Sequence, residues 1–527
     1  MAHTERGVEV RQPEQLLMGE AIRLNARRFP NKLAVVFRDK RYSYAEFNSR
    51  INRLANALGK MGIKKGNKVA ILAYNRNEYL EVIFAAAKIG VVFVPLHYAL
   101  KGPEIEYIVN RSDSLVIFVE DELLSKVLEV RERLNIVKDV IVIGDGTAEG
   151  VKKYEDVLTS GSSEEPGVEL SELDPLMLNF TSGTTGRPKG ALRTHRAASL
   201  MSLLFAIEYD YRHNDLGLIA GPLYSAAGMY FCFPNLYIGA SVYILHKFDA
   251  LEILKIIDRE KCNNAWLAPV MLRLILSIPE DVRKQYNVSS MHSIMSVGSP
   301  LHMETRKSVI EYFGNVLYDL YGAAEQGASC VIKPEDILRK PKSDGQDFLG
   351  MEMRVVDDKG NEVRRGGTGE LIVRGFTIIE GYYKDPDTTR ESFYGNFVAL
   401  GDLGYQDEEG FYYLVDRKKD MIISGGTNVY PAECEEVMSE HPKIADVAVI
   451  GVPDEKWGEA VKALIILKPG EKTTENEIIM WCKKRMASYK VPKSVEFISE
   501  IPHNPSGKVM KYVLREKYWA GKERKIS

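Results

Sequence analysis

The sequence predicts an α/β fold: a large N-terminal domain of layered sheets and helices, followed by a small α+β domain. Three observations carry this prediction. The chain has 527 residues, whereas single hydrophobic cores stop growing near ~250–300 residues, so at least two domains are expected. Short apolar runs alternate with amphipathic segments over most of the length, the pattern of largely parallel sheets covered by helices. Near residue 417 the alternation gives way to a dense charged run and a different succession of elements.

Taken in order, residues 44–61 carry a helical apolar period, 68–73 read as a buried strand and 79–88 as a helix. Residues 91–94, 115–119 and 140–143 follow as further short apolar strands. The stretch T-S-G-S-S-E-E-P at 159–166 reads as a soft surface loop. Strands are then expected at 176–180, 218–220 and 242–245, with helices at 197–206, 251–261 and 303–313. Asp249, with Glu252 three residues on, forms a capping box at the start of the 251–261 helix. Residues 410–415 are strand-like, and Asp416-Arg417-Lys418-Lys419-Asp420 packs five charges together, a pattern usual for a solvated turn. After it come a short apolar run at 421–423, the turn Gly425-Gly426-Thr427 and an acidic helix from Ala432. Domains of 1–418 and 419–527 fit this arrangement.

Composition narrows the function classes. Hydrophobic content of 45% and charged content of 27% are ordinary globular values, which excludes a disordered chain, a collagen-like fibre and a small disulfide scaffold. With 70 Lys+Arg against 73 Asp+Glu, nothing calls for nucleic acid or an anionic membrane as the main partner. The five cysteines are odd in number, widely spaced and free of C-x-x-C, as expected of reduced thiols in a cytoplasmic protein. The nine histidines are scattered and suggest no zinc site. Residues 82–96, the most apolar stretch, include Lys88 and Gly90 and fall short of a transmembrane segment. A homodimer is compatible with the sequence.

The most informative segment is Thr181-Ser182-Gly183-Thr184-Thr185-Gly186-Arg187-Pro188-Lys189-Gly190, directly after a predicted strand. Hydroxyls and glycines together give a loop rich in N–H and O–H donors that can approach phosphate oxygens closely. Lys189 adds a point charge for the same anion. The spacing is neither G-x-x-x-x-G-K-[ST] nor G-x-G-x-x-G, so neither a Walker A loop nor a Rossmann fingerprint is present. Further along come Val297-Gly298-Ser299-Pro300, Tyr321-Gly322-Ala323-Ala324-Glu325, Gly369-Glu370-Leu371, Gly401-Asp402-Leu403, the charged run at 416–420, Ser424-Gly425-Gly426 and Pro505-Ser506-Gly507-Lys508. In that order and spacing, covering nearly the whole chain, these motifs resemble the adenylate-forming superfamily of acyl-CoA synthetases, luciferases and peptide-synthetase adenylation domains.

The resemblance implies a carboxylic acid, ATP and CoA as substrates, with Mg²⁺ as cofactor. Glu325 matches the family's magnesium ligand, and Thr184 contacts the metal or the pyrophosphate. Residues 181–186 and Lys189 then cradle phosphates, while Gly298, Ser299 and Pro300 form the adenine turn, and Tyr321, followed by Gly322, Ala323 and Ala324, stacks on the base. Asp402 and Arg417 are similar to the family's ribose contacts. Lys508 matches the lysine that reaches the α-phosphate and the carboxylate during adenylation. Lys419 occupies the family's hinge, which makes the small domain mobile. Gly425 and Gly426 line the pantetheine tunnel, and Trp457 resembles a CoA contact or is a core aromatic.

Two positions depart from the commonest family pattern. Ser225, in Pro222-Leu223-Tyr224-Ser225, stands where many members carry histidine, and Ala324 replaces a frequent threonine. The run from Tyr224 and Ser225 through Gly228 suggests either an acyl pocket lined by small residues or tight helix packing. A medium, long or cyclic acid is expected in such a pocket. The reading is an AMP-forming acyl-CoA ligase. Its rivals are a ligase with a carrier-protein acceptor, one that stops at the adenylate, and a nucleotide-binding pseudoenzyme.

Overall fold

The computed structural model of the chain describes residues 16–181, 188–424, 427–503 and 509–520. The chain forms two compact units. The first runs to Pro341 and includes Asp347–Glu352 and Arg374–Ser392; the second takes Lys342–Gln346, Met353–Val373 and the chain from Phe393.

Two sheets build the first unit. In one, Gly327–Ile332, Leu317–Ala323, Ser293–Ser296, Asn264–Trp266, Leu216–Ile219, Ser241–Ile244, Leu33–Phe37 and Lys40–Ser43 lie side by side. The strands from Leu317–Ala323 through Leu33–Phe37 are parallel, and antiparallel partners close both ends. Helices Ala250–Glu260, Pro269–Leu276 and Met303–Phe313 supply Ile253, Ile257, Leu272 and Val309 to a core shared with Leu218, Ile294 and Leu317. Asp249 caps the first of these helices, accepting the Glu252 backbone N–H at 2.8 Å. In the other sheet the order is Lys189–Thr194, Pro175–Thr181, Val92–Leu96, Lys68–Leu72, Ser114–Glu120, Asp139–Ile143 and Val151–Lys153. Gly381–Tyr382 adds an antiparallel strand outside Lys189–Thr194, and apart from that pairing and the hairpin the sheet is parallel.

Each strand and helix expected in this unit is present, with ends shifted by a few residues. Strands Leu33–Phe37, Asn264–Trp266 and Ser293–Ser296 were not expected. Asn264, Ser293 and Ser296 are buried, and polar residues inside a short strand erase its apolar signal. The 159–166 stretch is a surface loop, as expected, but one tied down by long-range bonds. Asn52, Asn56 and Lys60, on helix Tyr44–Lys60, donate to the backbone carbonyls of Ser160, Ser162, Ser163 and Glu164. The buried Lys88 ammonium meets Glu165 at 2.6 Å. Surface composition correctly signalled exposure but carried no information on these long-range bonds.

In the second unit, Phe397–Gln406 and Tyr412–Arg417 pair antiparallel. A further sheet orders Thr427–Val429, Ile422–Ser424, Gly458–Leu467 and Ile444–Asp454, with Ser494–Phe497 parallel to Gly458–Leu467. Helices Pro431–Ser439 and Glu475–Lys483 contribute Cys434, Met438, Ile478 and Cys482 to its core, an α+β arrangement as expected. The 416–420 charges are half-buried rather than simply solvated. Lys418 pairs with Asp358 and Glu370 at 3.0 and 3.2 Å, and Asp420 with Arg515 at 2.7 Å. None of the five cysteines is in a disulfide, and all are buried. Among the described residues, no helix is long and apolar enough to cross a membrane.

Candidate active site

Ligands of open α/β sheets gather beyond the carboxyl ends of parallel strands, and both sheets of the first unit send their polar turns there. From one sheet come Gly221–Ser225, Val297–Pro300 and Tyr321–Glu325; from the other come Asn75, His97 and the hairpin end at Thr181.

Glu325 is the centre of the first cluster. The Thr181 hydroxyl donates to its Oε1 at 2.7 Å, and the Tyr382 hydroxyl donates to the same oxygen at 3.2 Å. Burial, then the Glu325 charge, pushes the Tyr382 pKa up, so the phenol stays a donor. Oε2 has no hydrogen-bond partner among the described residues. A hard carboxylate oxygen left open beside a hydroxyl fits Mg²⁺, which takes its remaining ligands from water and phosphate.

The backbone around Glu325 is held from below. Arg193, in a strand of the hairpin and 1% exposed, donates to the Ala324 carbonyl at 2.8 Å, to the Tyr230 hydroxyl at 2.8 Å and to the Thr377 carbonyl. Thr377 donates to the Gln326 carbonyl at 3.0 Å, and the Ile379 N–H bonds the Glu325 carbonyl at 2.9 Å. The segment 377–382 is therefore stitched to the Glu325 turn. Gly322 permits the tight hairpin behind it, since a Cβ there would lie 2.1 Å from the Gly327 carbonyl oxygen. Tyr321 lies on this strand opposite Cys330, and Ala323 and Ala324 continue the turn. Lys189, across the hairpin from Thr181, has its ammonium 5.7 Å from the Tyr382 ring centre.

The turn Val297–Pro300 follows the parallel strand Ser293–Ser296. Gly298 sits at φ +112°, with open space where a Cβ would be, so only its backbone conformation demands glycine there. Ser299 and Pro300 lead from it towards helix Met303–Phe313.

The Tyr224 turn forms a second cluster. Asn75 donates to the Gly221 and Leu245 carbonyls at 2.8 and 3.1 Å and accepts the Leu223 N–H at 2.8 Å, fixing the turn. Ser225 caps helix Ala226–Tyr237; its hydroxyl donates to the Pro222 carbonyl at 2.8 Å and accepts the Gly228 N–H at 3.0 Å. The side chain at the departing position is thus consumed by its own turn. A Cβ on Gly228 would lie 2.3 Å from the Pro222 carbonyl oxygen, so packing accounts for this glycine.

In the second unit, Asp402 and Arg417 face each other across paired strands, with Nε–Oδ1 at 3.1 Å. Asp416 accepts N–H groups from Arg417 and Ala432, and its burial raises its pKa to about 6. Burial lowers the pKa of Lys419, beside Asp420 and Arg417. Trp457 is 41% exposed, which removes the core-aromatic reading, and Lys456 and Lys493 lie over its ring at 4.8 and 5.9 Å. Ser182, Gly183, Thr184, Thr185, Gly186, Gly425, Gly426 and Lys508 lie outside the described residues.

Sequence reading did not single out Arg193, Tyr230, Thr377, Tyr382, Asn75 or His97. A charge inside the short strand Lys189–Thr194 was the one available signal, for Arg193; the others carry no local pattern.

Comparison with known proteins matches residues 22–383 to the AMP-binding enzyme family and residues 433–508 to the AMP-binding enzyme C-terminal domain. The chain is 33% identical over 485 residues to the long-chain-fatty-acid–CoA ligase FadD13 of Mycobacterium tuberculosis (strain ATCC 25618 / H37Rv), covering 92% of this chain and 94% of that one. It is 34% identical over 490 residues to the indoleacetate–CoA ligase of Aromatoleum aromaticum (strain DSM 19018 / LMG 30748 / EbN1), covering 92% and 95%. Among solved structures, the anthranilate CoA ligase AuaEII in complex with anthranoyl-AMP superposes with a TM-score of 0.88 at 29% identity, covering 96% of this chain and 98% of that one.

Proposed function

The chain belongs to the AMP-binding enzyme family, and from that premise we propose that it is an AMP-forming acyl-CoA ligase in two domains, 1–418 and 419–527. The observation that carries the reading is the Glu325 carboxylate, held by Thr181 and Tyr382 at the end of a hairpin whose connection is the Ser/Thr/Gly loop. Two anions, a carboxylate and a triphosphate, must meet in such an enzyme, so the site needs rigid positioning and neutralisation.

The carboxylate oxygen of the acid attacks the α-phosphorus of ATP, and pyrophosphate leaves with the electron pair of the broken P–O bond. Thr181, the 182–186 loop with Thr184 and Thr185, and Lys189 hold the phosphates; Gly298, Ser299, Pro300 and Tyr321 take the adenine; Asp402 and Arg417 take the ribose. Glu325, with Thr184, would hold Mg²⁺, which when bound neutralises phosphate charge. Lys508 aims its ammonium at the charge that develops on the α-phosphate. In the second step the CoA sulfur, having lost its proton, attacks the acyl carbon and AMP leaves. Gly425 and Gly426 admit the pantetheine chain, Trp457 flanks CoA, and Lys419 is the hinge between the steps.

Tyr224 and its turn border the acyl site, for a medium, long, cyclic or aromatic acid. The buried thiols support a cytoplasmic setting. A homodimer belongs to the same reading and is tested by light scattering.

The decisive experiment is pyrophosphate release from Mg-ATP with a panel of carboxylic acids, with and without CoA. Acid-dependent release that turns over only with CoA supports the ligase. A stoichiometric burst indifferent to CoA points to a carrier protein or a free adenylate. No release despite ATP binding would overturn the enzyme reading.

A further inference from the structure

Lys419, the proposed hinge, divides two sets of fastenings. Upstream, Arg417 pairs with Asp402 at 3.1 Å, Lys418 pairs with Asp358 and Glu370, and the Lys418 N–H bonds the Gly401 carbonyl at 2.7 Å. These bonds tie residues 417 and 418 to parts of the chain that precede them. Downstream, Asp420 pairs with Arg515 of helix Lys511–Trp519 at 2.7 Å. That helix is tied in turn to helix Pro431–Ser439, by Lys511 on Glu435 at 2.8 Å, and to strand Ile444–Asp454, by Trp519 on the Gly451 carbonyl at 2.9 Å. A turn of the backbone at Lys419 leaves both sets intact.

Asp416 breaks this division. It belongs to the upstream strand Tyr412–Arg417, yet its Oδ2 accepts the Ala432 N–H, on the downstream side, at 2.8 Å. Local chemistry explains why helix Pro431–Ser439 takes it. The N-cap residue, Tyr430, makes no side-chain capping bond, and Pro431 has no N–H, so Ala432 offers the first donor of the helix. A carboxylate there satisfies that donor and suits the positive end of the helix. Its other oxygen accepts the Arg417 N–H at 2.7 Å, which holds the group in place. The Lys342–Glu436 pair also links the two sides, but both side chains are exposed, and such pairs hold weakly.

The charged groups facing Asp416 are Lys511 and Glu435, one from each neighbouring helix. Its chain neighbours Arg417 and Asp420 are paired with Asp402 and Arg515. Burial raises the Asp416 pKa to about 6, with Lys511 opposing the rise and Glu435 adding to it. Released into water, the carboxyl returns towards its ordinary value near 3.8. The engaged form therefore holds its proton more tightly. Acid favours engagement, and ionisation above about pH 6 favours release.

Resting on the ligase reading and its hinge, we propose that Asp416 is a positioning residue for the two-step reaction, a catch that caps helix Pro431–Ser439 from the far side of Lys419. While the bond to Ala432 holds, the present arrangement persists and serves one half-reaction. The other half-reaction requires that bond to break, and the fastenings at 417–418 and at 420 travel unbroken with their own sides.

The test measures the half-reactions separately: single-turnover pyrophosphate release from Mg-ATP and acid, and AMP release from preformed acyl-adenylate and CoA. In the double variant Asp416→Cys/Ala432→Cys, oxidation with diamide should freeze the catch. One half-reaction then collapses, the other keeps its rate, and dithiothreitol restores the first. Asp416→Ala, which removes the acceptor, should move the ratio of the two rates in the opposite direction by about tenfold, the worth of one hydrogen bond to a charged group. Lowering the pH from about 7.5 to about 5.5 should carry the wild-type ratio towards the cross-linked pattern, and Asp416→Ala should lack that shift. Melting temperature verifies the fold of each variant, and the Asp416→Ala ratio decides if the disulfide does not form. Cross-linked enzyme that runs both steps at its reduced rates overturns the catch while leaving the ligase standing. So does equal slowing of both steps in Asp416→Ala. Absence of pyrophosphate release from the wild type with every acid overturns the ligase reading and the catch with it.

Discussion

Two hydroxyls donate to one oxygen of Glu325, and the other oxygen has no hydrogen-bond partner among the described residues. Tyr382→Phe removes one of them without disturbing the packing of the ring. The expected result is a several-fold higher Mg²⁺ concentration for half-maximal pyrophosphate release, equivalent to about 1 kcal/mol for one neutral donor. Unchanged magnesium dependence would show that Tyr382 does not orient the carboxylate. Arg193→Met should act differently. It would remove the donor of the Thr377 carbonyl and leave the Ala324 carbonyl only the Tyr230 hydroxyl at 3.4 Å, at about 1–3 kcal/mol in stability, read as a lower Tm. Glu325 was singled out in the sequence by the Tyr-Gly turn before it, and Asp402 and Arg417, the proposed ribose contacts, by local motifs. Arg193, Tyr382 and His97 were not, because each is defined by partners far along the chain, which leave no spacing to read. The Ser225 departure had a physical answer only in three dimensions, where its hydroxyl caps a helix.

At the scale of elements, the apolar periods singled out became strands and helices, while short strands with buried serine or asparagine were missed, as was the plain apolar run Leu33–Phe37. The 159–166 segment shows the converse: its composition is that of a loop, yet its carbonyls are pinned by a neighbouring helix. Helix Lys511–Trp519 offers an element-scale prediction. Its Lys517 reaches Glu496, on strand Ser494–Phe497, at 2.7 Å, and Tyr518 bonds the same carboxylate. These bonds hold the Glu496 pKa down at about 2, below its ordinary value near 4.5. A depressed carboxylate stabilises the fold above its unfolded pKa, and that contribution fades as pH falls towards the folded value. The ion pair is partly exposed, so the effect is small and screened by salt. Wild type should melt slightly above Glu496→Gln at pH 6, and the two curves should converge between about pH 4.5 and 2. A gap that persists at low pH would assign the difference to packing instead.

For the whole molecule, the proposed division of residues between domains 1–418 and 419–527 has a kinetic consequence. In the proposed division, Thr181, Lys189, Gly298, Tyr321, Glu325, Asp402 and Arg417 belong to domain 1–418, whereas Lys419, Trp457 and Lys508 belong to domain 419–527. If domain 419–527 serves adenylation through Lys508 and thioester formation through Gly425 and Gly426, the two half-reactions can be lost one at a time. Lys508→Ala removes an ammonium that acts on the α-phosphate and should slow adenylation by two to three orders of magnitude, about 3–4 kcal/mol. Supplied with preformed acyl-adenylate and CoA, the same variant should still release AMP at close to the wild-type rate, because no phosphate is attacked in that step. Gly426→Leu should do the reverse: a single-turnover burst of pyrophosphate survives, and thioester formation from the adenylate fails because a side chain obstructs a narrow channel. Measuring both half-reactions in both variants gives four rates, and the division of labour requires the two small ones to lie on opposite diagonals. Equal loss of both steps in Lys508→Ala would mean that one arrangement of domain 419–527 serves the whole cycle, and Lys419 would then need no role as a hinge.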